Sequence, residues 1–316
     1  MTVPLAPLAY AGTETFGRLS RDDGTSAIDL AVAGIPFDGL VTYRPGARFG
    51  PAAIRQSSVL CRSYSRSMEI AVYERLRSVD AGDVPVNAFD YEATFRGVET
   101  AIGSLQDRGA AVISLGGDHS ILLPIIRATA RRHARLTLIQ FDAHTDTSEG
   151  LPEQRHHHGT IIRDIFESGL VEGARIFQIG VRGSVRDESY DRYCHDAGIH
   201  RLDMRAFHDR ERRSAFLEEL RNTAGEGPCY VTFDIDGIDP AFAPGTGTPV
   251  PGGLTSHEAL DTLASLRGLR VIGGDVVEIA PPYDSSNITA LLGAAIASEI
   301  AALIAVSRVR SGSSVV

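Results

Sequence analysis

Two carboxylates and an imidazole alternate at Asp142, His144 and Asp146, directly after a short apolar run at 136–141. A run of this length and character predicts a strand buried on both faces of a parallel sheet. If the backbone stays extended beyond the run, alternate side chains share one face, so the three groups point together. Ligands of open α/β sheets bind outside the carboxyl ends of the strands. The pattern therefore indicates a ligand site rather than a polar loop whose Asp side chains cap the next turn.

Two further apolar runs end in side chains of the same kind. The run at 230–233 leads into Asp234 and Asp236, and the run at 111–115 leads through two glycines to His119. Together the three runs supply six candidate metal ligands: His119, Asp142, His144, Asp146, Asp234 and Asp236. Six ligands suit two divalent cations about 3.5–4 Å apart better than one ion. Oxygen-rich ligation without sulfur favours two Mn²⁺, with Ni²⁺, Co²⁺ or Zn²⁺ as alternatives.

Composition and charge restrict the class of protein. The 316-residue chain has a formal net charge of −9 and is 43% hydrophobic, which argues against nucleic-acid binding and is ordinary for a globular enzyme. Its three cysteines lie far apart, as in a reduced cytoplasmic protein, and no secretory signal opens the sequence. The most apolar segment, 288–306, is interrupted by Glu299 and predicts a buried C-terminal helix. We expect a cytoplasmic protein without nucleic-acid or membrane partners.

Predicted strands and helices alternate along the chain, which indicates one α/β domain of three α/β/α layers around a mostly parallel, doubly wound sheet. Residues 1–26 lack periodicity and predict an N-terminal extension on the surface or at a subunit contact, and 27–316 predict a single catalytic domain. Strands are predicted over 28–35, 78–80, 111–115, 136–141, 176–180, 199–202, 230–233 and 270–278. Helices are predicted over 50–60, 92–108, 121–132, 158–166, 209–221, 256–266 and 288–306.

Several segments of the chain resemble the ureohydrolases, the arginase–agmatinase family. They are SLGGDHS at 114–120, FDAHTD at 141–146, HGT at 158–160, FDIDGIDP at 233–240, PGTGTPVPGG at 244–253 and GDVVE at 274–278. The segment YRPGARFG at 43–50 resembles the agmatinase branch. The resemblance implies an arginase-like fold, hydrolysis of a guanidino compound to urea and an amine at two metal ions, and a homo-oligomer, either a hexamer or a trimer.

The resemblance also implies roles for individual residues. It implies that Asp142 and Asp234 bridge the two ions. His119 and Asp146 would complete the ligands of one ion, and His144 and Asp236 would complete those of the other. Asp146 would also orient the attacking water, and Glu278 would hold the guanidinium through paired hydrogen bonds. His158, selected from the run 156–158 by the Gly-Thr that follows it, would contact substrate and transfer protons to the leaving amine. For Glu278, the alternative is a solvated strand end.

The substrate is less well determined. Familiar arginases carry Asn and Ser contacts between the two motifs at 141–146 and 158–160, and this chain has no Asn there, which disfavours arginine. Agmatine, hydrolysed to putrescine, is favoured because it is a common substrate in the branch. The alternative is a guanidino-acid hydrolase of the guanidinobutyrase, guanidinopropionase or proclavaminate amidinohydrolase type. An amine tail would suit Glu149 or Glu153, and a carboxylate tail would suit three arginines: Arg155, Arg44 and Arg48. Of these, Arg155 is the predicted substrate contact.

Two other classes of protein fit the sequence less well. Amide hydrolases of the histone-deacetylase type share the broad fold but use one zinc ion, and the additional ligands His119, Asp146 and Asp236 argue against them. A homologue that binds metal without turnover is a second alternative. Such a protein usually lacks a ligand or the catalytic acid, and this chain retains all of them.

Overall fold

The computed structural model describes residues 11–12, 15–151 and 153–310. The strands in this part of the chain are β1 (Ser20–Arg21), β2 (Leu30–Ile35), β3 (Tyr64–Ser65), β4 (Ile70–Ala71), β5 (Ser78–Asp83), β6 (Ala111–Gly116), β7 (Thr137–Phe141), β8 (Ile176–Ile179), β9 (His200–Leu202), β10 (Pro228–Asp234) and β11 (Arg270–Val277). The helices are α1 (Gly50–Ser57), α2 (Val72–Arg75), α3 (Tyr91–Asp107), α4 (Leu122–Ala130), α5 (Ile161–Glu167), α6 (Ser189–Asp196), α7 (Met204–His208), α8 (Arg210–Ala224), α9 (Ser256–Ser265) and α10 (Ile288–Arg310).

Nine strands form one sheet in the order β1-β5-β2-β6-β11-β10-β7-β8-β9, and every neighbouring pair is parallel. Strands β3 and β4 form a separate antiparallel pair. Alternate residues of β2 enter two apolar clusters, Leu30 and Val32 in one and Ala31 and Ala33 in the other. The first cluster includes α1 and α7–α10, and the second includes α3, α4 and α5. The predicted three-layer α/β fold with a parallel sheet is confirmed.

Helix α10 is long and apolar enough to cross a membrane by length and composition alone. In the structure it lies in the apolar cluster on one sheet face, and 67% of its most apolar stretch is buried. Its first turn is capped by Asp284, whose carboxylate accepts the backbone N–H of Thr289 at 2.8 Å. The segment is therefore the buried C-terminal helix that its sequence predicts.

The register of the central strands determines which residues meet beyond the sheet. Phe233 of β10 pairs with Phe141 of β7, and Val276 of β11 pairs with Leu115 of β6. The carboxyl ends of these four strands therefore lie at one edge of the sheet. The predicted strand through Glu278 ends one residue earlier than expected, because Glu278 has a left-handed backbone with φ of 63°.

The N-terminal segment is partly integrated into the sheet. Residues 1–10 and 13–14 of the predicted extension lie outside the described residues. Within the described part, Phe16 is fully buried and β1 pairs with β5. The elements that the sequence analysis missed are short, namely β1, the β3–β4 pair, α2, α6 and α7. Elements this short contain too few residues to show a periodic pattern, so the contacts of each element in the fold decide its structure.

A buried ion pair connects α1 to β5. The Arg55 guanidinium donates two hydrogen bonds to Asp80, at 2.9 and 3.0 Å, and another to Asp83. Burial lowers the pKa of Arg55, but the Asp80 and Asp83 carboxylates outweigh this effect and raise it. The Asp80 carboxylate also accepts the backbone N–H of Phe16 at 2.6 Å. Asp80 therefore holds both α1 and the N-terminal segment against the edge of the sheet.

We predict that Asp80→Ala destabilises the protein by about 3–5 kcal/mol, because it leaves the Arg55 charge buried without its main partner. Urea-induced unfolding of the metal-free protein measures the loss. The matched control is Arg192→Ala, which removes an exposed ion pair with Glu188 at the N-terminus of α6 and should cost less than about 0.5 kcal/mol. Equal small losses in the two variants would contradict the proposed role of Asp80.

Candidate metal centre

His119 is brought to the sheet edge by a tight turn after β6. A Cβ atom on Gly117 would lie 2.2 Å from the Phe37 carbonyl oxygen, so only glycine fits there. The next residue, Asp118, caps the following 3₁₀ turn by accepting the Ser120 N–H at 2.9 Å. As a result, the His119 imidazole is fully buried beside the ends of β7 and β10.

Three carboxylate oxygens surround Nδ1 of His119. The nearest belongs to Asp146 at 2.9 Å, followed by Asp142 at 3.2 Å and Asp234 at 3.4 Å. All four side chains are buried. Three strand ends therefore contribute to one compact group of N and O ligands.

A second group forms around His144, which lies closer to solvent. Its Nδ1 is 3.1 Å from Asp236 Oδ2 and 3.5 Å from Asp142 Oδ1. Asp142 thus presents Oδ2 to the His119 group and Oδ1 to the His144 group, as a bridging carboxylate would. Asp234 directs Oδ2 towards His119, while its Oδ1 accepts the Asp236 N–H at 2.9 Å.

The backbone that carries the first triplet differs from the prediction. Strand β7 ends at Phe141, and the backbone turns at Ala143 and His144 instead of remaining extended. The His144 N–H donates to Asp142 Oδ1 at 2.6 Å, and Asp146 has a left-handed backbone with φ of 51°. The side chains therefore converge through a turn and not through strand alternation. A left-handed Asp is strained, and such strain is retained where the surroundings or the function require it.

The crowded carboxylates perturb one another. Burial and the neighbouring Asp142 carboxylate raise the pKa of Asp146 to about 6. Burial and the carboxylates of Asp236 and Asp142 raise the pKa of Asp234 well above its usual value. Burial lowers the pKa of His144, but Asp236 and Asp142 outweigh it and raise that pKa to about 12. Negative charge in this density requires a compensating positive charge at the same place.

The ligand set fits a pair of divalent cations. Nδ1 of His119 is buried and has no hydrogen-bond partner among the described residues, although three carboxylate oxygens lie within 3.4 Å of it. An orphaned imidazole nitrogen facing several oxygens has the chemistry of a metal ligand. The two groups, which share Asp142, would hold one ion each.

Glu278 and His158 lie together beside this centre. Glu278 Oε1 accepts the His119 backbone N–H at 2.8 Å and contacts His158 Nδ1 at 2.9 Å. Its other oxygen, Oε2, is buried and has no partner within the described part of the chain. In the neutral form of His158, Nε2 accepts the Thr42 N–H at 3.1 Å, and Nδ1 carries the hydrogen that Glu278 accepts. Burial lowers the pKa of His158, but Glu278 outweighs it and raises the pKa to about 9.

A cleft of about 830 Å³ leads from solvent to these residues and is lined by His144, Asp146 and His158, among others. Glu149 also lines it. The predicted substrate residue Arg155 does not, since its side chain is exposed outside the cleft lining.

The other residues considered for the substrate tail are also placed elsewhere. Glu153 is exposed and does not line the cleft. Arg44 donates to the carbonyl oxygens of Thr246 and Gly247, both at 3.0 Å, and Arg48 is paired with Asp38. Neither arginine is therefore available at the cleft wall.

Several polar residues at the centre were not found from the sequence. Thr42 Oγ1 lies 2.7 Å from His158 Nε2, and Thr248 Oγ1 donates to Asp236 Oδ2 at 3.1 Å. Both threonines lie in loops, where no periodicity indicates which way a side chain points. Only their position next to recognisable motifs could have suggested them.

Comparison with known proteins agrees with this geometry. The model of the Arginase family matches residues 28–302. Guanidinopropionase from Pseudomonas aeruginosa is 41% identical over 303 residues, covering 96% of this chain and 95% of that protein. Mitochondrial agmatinase from Gallus gallus is 40% identical over 277 residues, covering 88% of this chain and 81% of that protein. The structure of proclavaminate amidinohydrolase from Streptomyces clavuligerus aligns with a TM-score of 0.90 at 36% identity, covering 95% and 99% of the two chains.

These matches extend over nearly the whole chain and include both the fold and the strand ends that carry the ligands. The family consists of binuclear metal hydrolases, in agreement with the two ligand groups that share Asp142. The chain therefore belongs to the arginase family, the ureohydrolases.

Proposed function

We propose that this ureohydrolase cleaves a linear guanidino acid, a compound with a guanidinium group at one end and a carboxylate at the other, into urea and an amino acid. The observation that supports this reaction is that the two ligand groups, which share Asp142, lie next to the unpaired Glu278 Oε2. The two ligand groups would hold two divalent cations, and Glu278 Oε2 would accept a guanidinium N–H. Mn²⁺ is the ion that the oxygen-rich ligands favour, with Ni²⁺, Co²⁺ and Zn²⁺ as alternatives.

The side chains next to the ligands account for substrate binding. Glu278 Oε2 has no competing donor and can accept a hydrogen bond from the planar cation, which is worth about 1.5–3 kcal/mol for a charged pair. Its Oε1 is held by His119 and His158, which fixes the carboxylate beside His158, a residue of the cleft lining. Glu278 thus orients the guanidinium carbon towards the ligand groups.

Hydrolysis forms one C–O bond and breaks one C–N bond, and a proton must reach the departing amine. When bound, the two cations would supply the Lewis acidity that makes water a nucleophile near neutral pH. Asp146 lines the cleft floor and can orient that water through a hydrogen bond. His158 also lines the cleft and can move the proton, since Glu278 supports its protonated form.

The charges on the cleft wall favour a carboxylate tail. Arg186 and Arg205 line the cleft, and neither forms an ion pair with another residue that the structure describes. The acidic residues of the wall outside the metal ligands already have partners: Glu149 contacts Arg163 at 3.4 Å, Asp191 pairs with Arg201, and Asp203 caps α7. Unpaired arginines beside partnered acids attract an anionic tail. Guanidinopropionase, at 41% identity, is consistent with this choice.

Agmatine, which the sequence analysis favours, is the second candidate. The Glu149 side chain is 87% exposed at the cleft wall and could meet an amine tail. Agmatinases from Gallus gallus and Neisseria meningitidis are 40% and 42% identical to this chain. In that case the product would be putrescine and the reaction would serve polyamine synthesis.

We further propose a cytoplasmic homo-oligomer, a hexamer or a trimer, without nucleic-acid or membrane partners. Large apolar side chains that would be unfavourable on a monomer support the oligomer: Leu60, Tyr64 and Leu291 are 57%, 56% and 38% exposed around one surface cleft. The acidic charge and the reduced cysteines support the location and the absence of a nucleic-acid partner.

We predict that removal of metal by a chelator abolishes urea release and that Mn²⁺ restores it. Asp146→Asn should lower turnover at least about 100-fold, because it removes both a ligand and the group that orients water. Urea release from guanidinopropionate measures both effects. An Asp146→Asn protein with wild-type turnover would contradict the proposed two-ion centre.

His158→Ala is expected to lower kcat about 100-fold or more while changing KM much less, since proton transfer matters chiefly in the transition state. Steady-state kinetics across pH 6–10 provide the measurement. His195→Ala is the control, because this histidine is exposed in α6 and lies outside the cleft lining, and it should leave kcat within a few-fold. A rise in KM alone for His158→Ala would reassign His158 to substrate binding.

For the tail, the wild-type enzyme should release urea faster from guanidinopropionate or guanidinobutyrate than from agmatine. Arg205→Gln and Arg186→Gln should each raise KM for the guanidino acid about ten-fold, because each removes a charged hydrogen-bond donor. Butylguanidine, which has no charged tail, is the control substrate and should be unaffected by either change. Arg192→Gln, outside the cleft lining, is the control variant. A clear preference for agmatine would establish the second candidate instead.

A further inference from the structure

A row of polar side chains crosses the middle of the sheet beneath the metal centre. It consists of one residue from each of five adjacent strands at one level of the register: Ser114 (β6), Asp275 (β11), Thr232 (β10), Gln140 (β7) and Gln178 (β8). All five are fully buried. The central strands of a parallel sheet are usually apolar, so a continuous polar row needs a reason.

One arm of this polar row ends on His119. Thr232 Oγ1 donates its only hydrogen to Asp275 Oδ1 at 2.7 Å. Its oxygen, 2.9 Å from His119 Nε2, therefore accepts the hydrogen of that nitrogen. With Nε2 carrying the hydrogen, the lone pair of Nδ1 faces Asp142, Asp146 and Asp234. The Thr232–Asp275 pair thus sets both the tautomer and the orientation of the imidazole.

The other arm ends on Asp142. Gln178 Nε2 donates to Gln140 Oε1 at 2.8 Å and to the Thr145 carbonyl oxygen at 2.7 Å. Because Gln140 Oε1 is engaged there, its amide Nε2 points the other way and donates to Asp142 Oδ2 at 2.7 Å. The Gln140–Gln178 pair thus fixes the carboxylate that both ligand groups share.

We infer that the polar row is the positioning layer of the metal centre, in which each arm controls a different part of it. The Thr232–Asp275 arm sets the affinity of the ion on the His119 side, and the Gln140–Gln178 arm, through Asp142, sets the affinity of both ions. The inference rests on the proposed two-ion centre. The expected loss of affinity is about 10–100-fold, because this is the typical effect of removing a hydrogen-bond partner of a metal ligand.

A purely structural role explains the polar row less well. Gln178 Oε1 is buried and has no hydrogen-bond partner among the described residues, and Asp275 places a carboxylate in the interior of the sheet. Unsatisfied buried polar atoms cost stability compared with apolar side chains of the same size. The central strands would therefore be more stable with apolar residues here, and a function at the adjacent ligands accounts for the polar ones.

The test is titration of the metal-stripped protein with Mn²⁺ alone, with free ion followed by electron paramagnetic resonance. We expect two ions per wild-type chain. Thr232→Val keeps the side-chain volume and should weaken one of the two affinities about 10–100-fold, leaving the other near the wild-type value. Gln140→Met should weaken both. Thr232→Ser, which retains the hydroxyl, should restore wild-type binding.

The matched control is Thr129→Val, which removes a buried threonine hydroxyl in α4, away from the ligands. It should alter thermal stability but neither Mn²⁺ affinity. If Thr232→Val does not fold, Asp275→Leu removes the acceptor with an apolar side chain of similar shape and should give the same single-site loss.

Two outcomes would overturn the inference: wild-type binding of both ions by Thr232→Val and Gln140→Met, or no Mn²⁺ binding by the wild-type protein. The result does not depend on turnover. If the wild-type protein binds two ions and the variants show the expected pattern, but no guanidino compound releases urea, the positioning role stands and the proposed function fails.

Discussion

The site depends on compensation of the repulsion among four carboxylates that are held at one edge of the sheet. Asp142, Asp146, Asp234 and Asp236 are all buried, and the pKa of Asp146 and that of Asp234 are raised by burial and by the negative neighbours. Buried like charges are tolerated only when a positive charge compensates them. Two divalent cations meet this requirement, and the ligand geometry around the shared Asp142 provides one place for each.

Parallel strands can bring these ligands together because their carboxyl ends meet at a common edge without long connections. Residues far apart in sequence, such as His119 and Asp234, become neighbours once β6, β11, β10 and β7 are in register. Helices cover both faces of the sheet, so the ligands rest on a rigid support. The polar row extends that support one residue level into the sheet, where a central strand would otherwise be apolar.

The site separates the chemistry from the choice of substrate. The cleft floor includes three of the candidate ligands, His144, Asp146 and Asp234, together with His158, and Glu278 is buried in contact with His158. The cleft wall is built from the loops that follow β7 and β8 and from α7, and it carries Arg186 and Arg205. Under the proposed function, changes in the wall would alter the preferred tail without disturbing the floor. Relatives with different names, guanidinopropionase and agmatinase, match this chain at similar identity.

The sequence alone predicted the fold class, which the structure confirms, and it supplied six candidate ligands, which the structure brings to one edge of the sheet. These ligands were recognisable because they follow buried strands at a regular spacing, whereas Glu278 and His158 were recognised through their resemblance to family motifs. The sequence did not determine which side chains face the substrate tail. Arg155 is adjacent to the motif at 158–160 but lies exposed, whereas Arg205 reaches the cleft from a helix that the sequence analysis missed. Nor did it indicate that Thr232, Asp275, Gln140 and Gln178 form one row. Strand periodicity shows which face a residue occupies, but only the register between strands, set by the packed tertiary structure, decides which residues are neighbours.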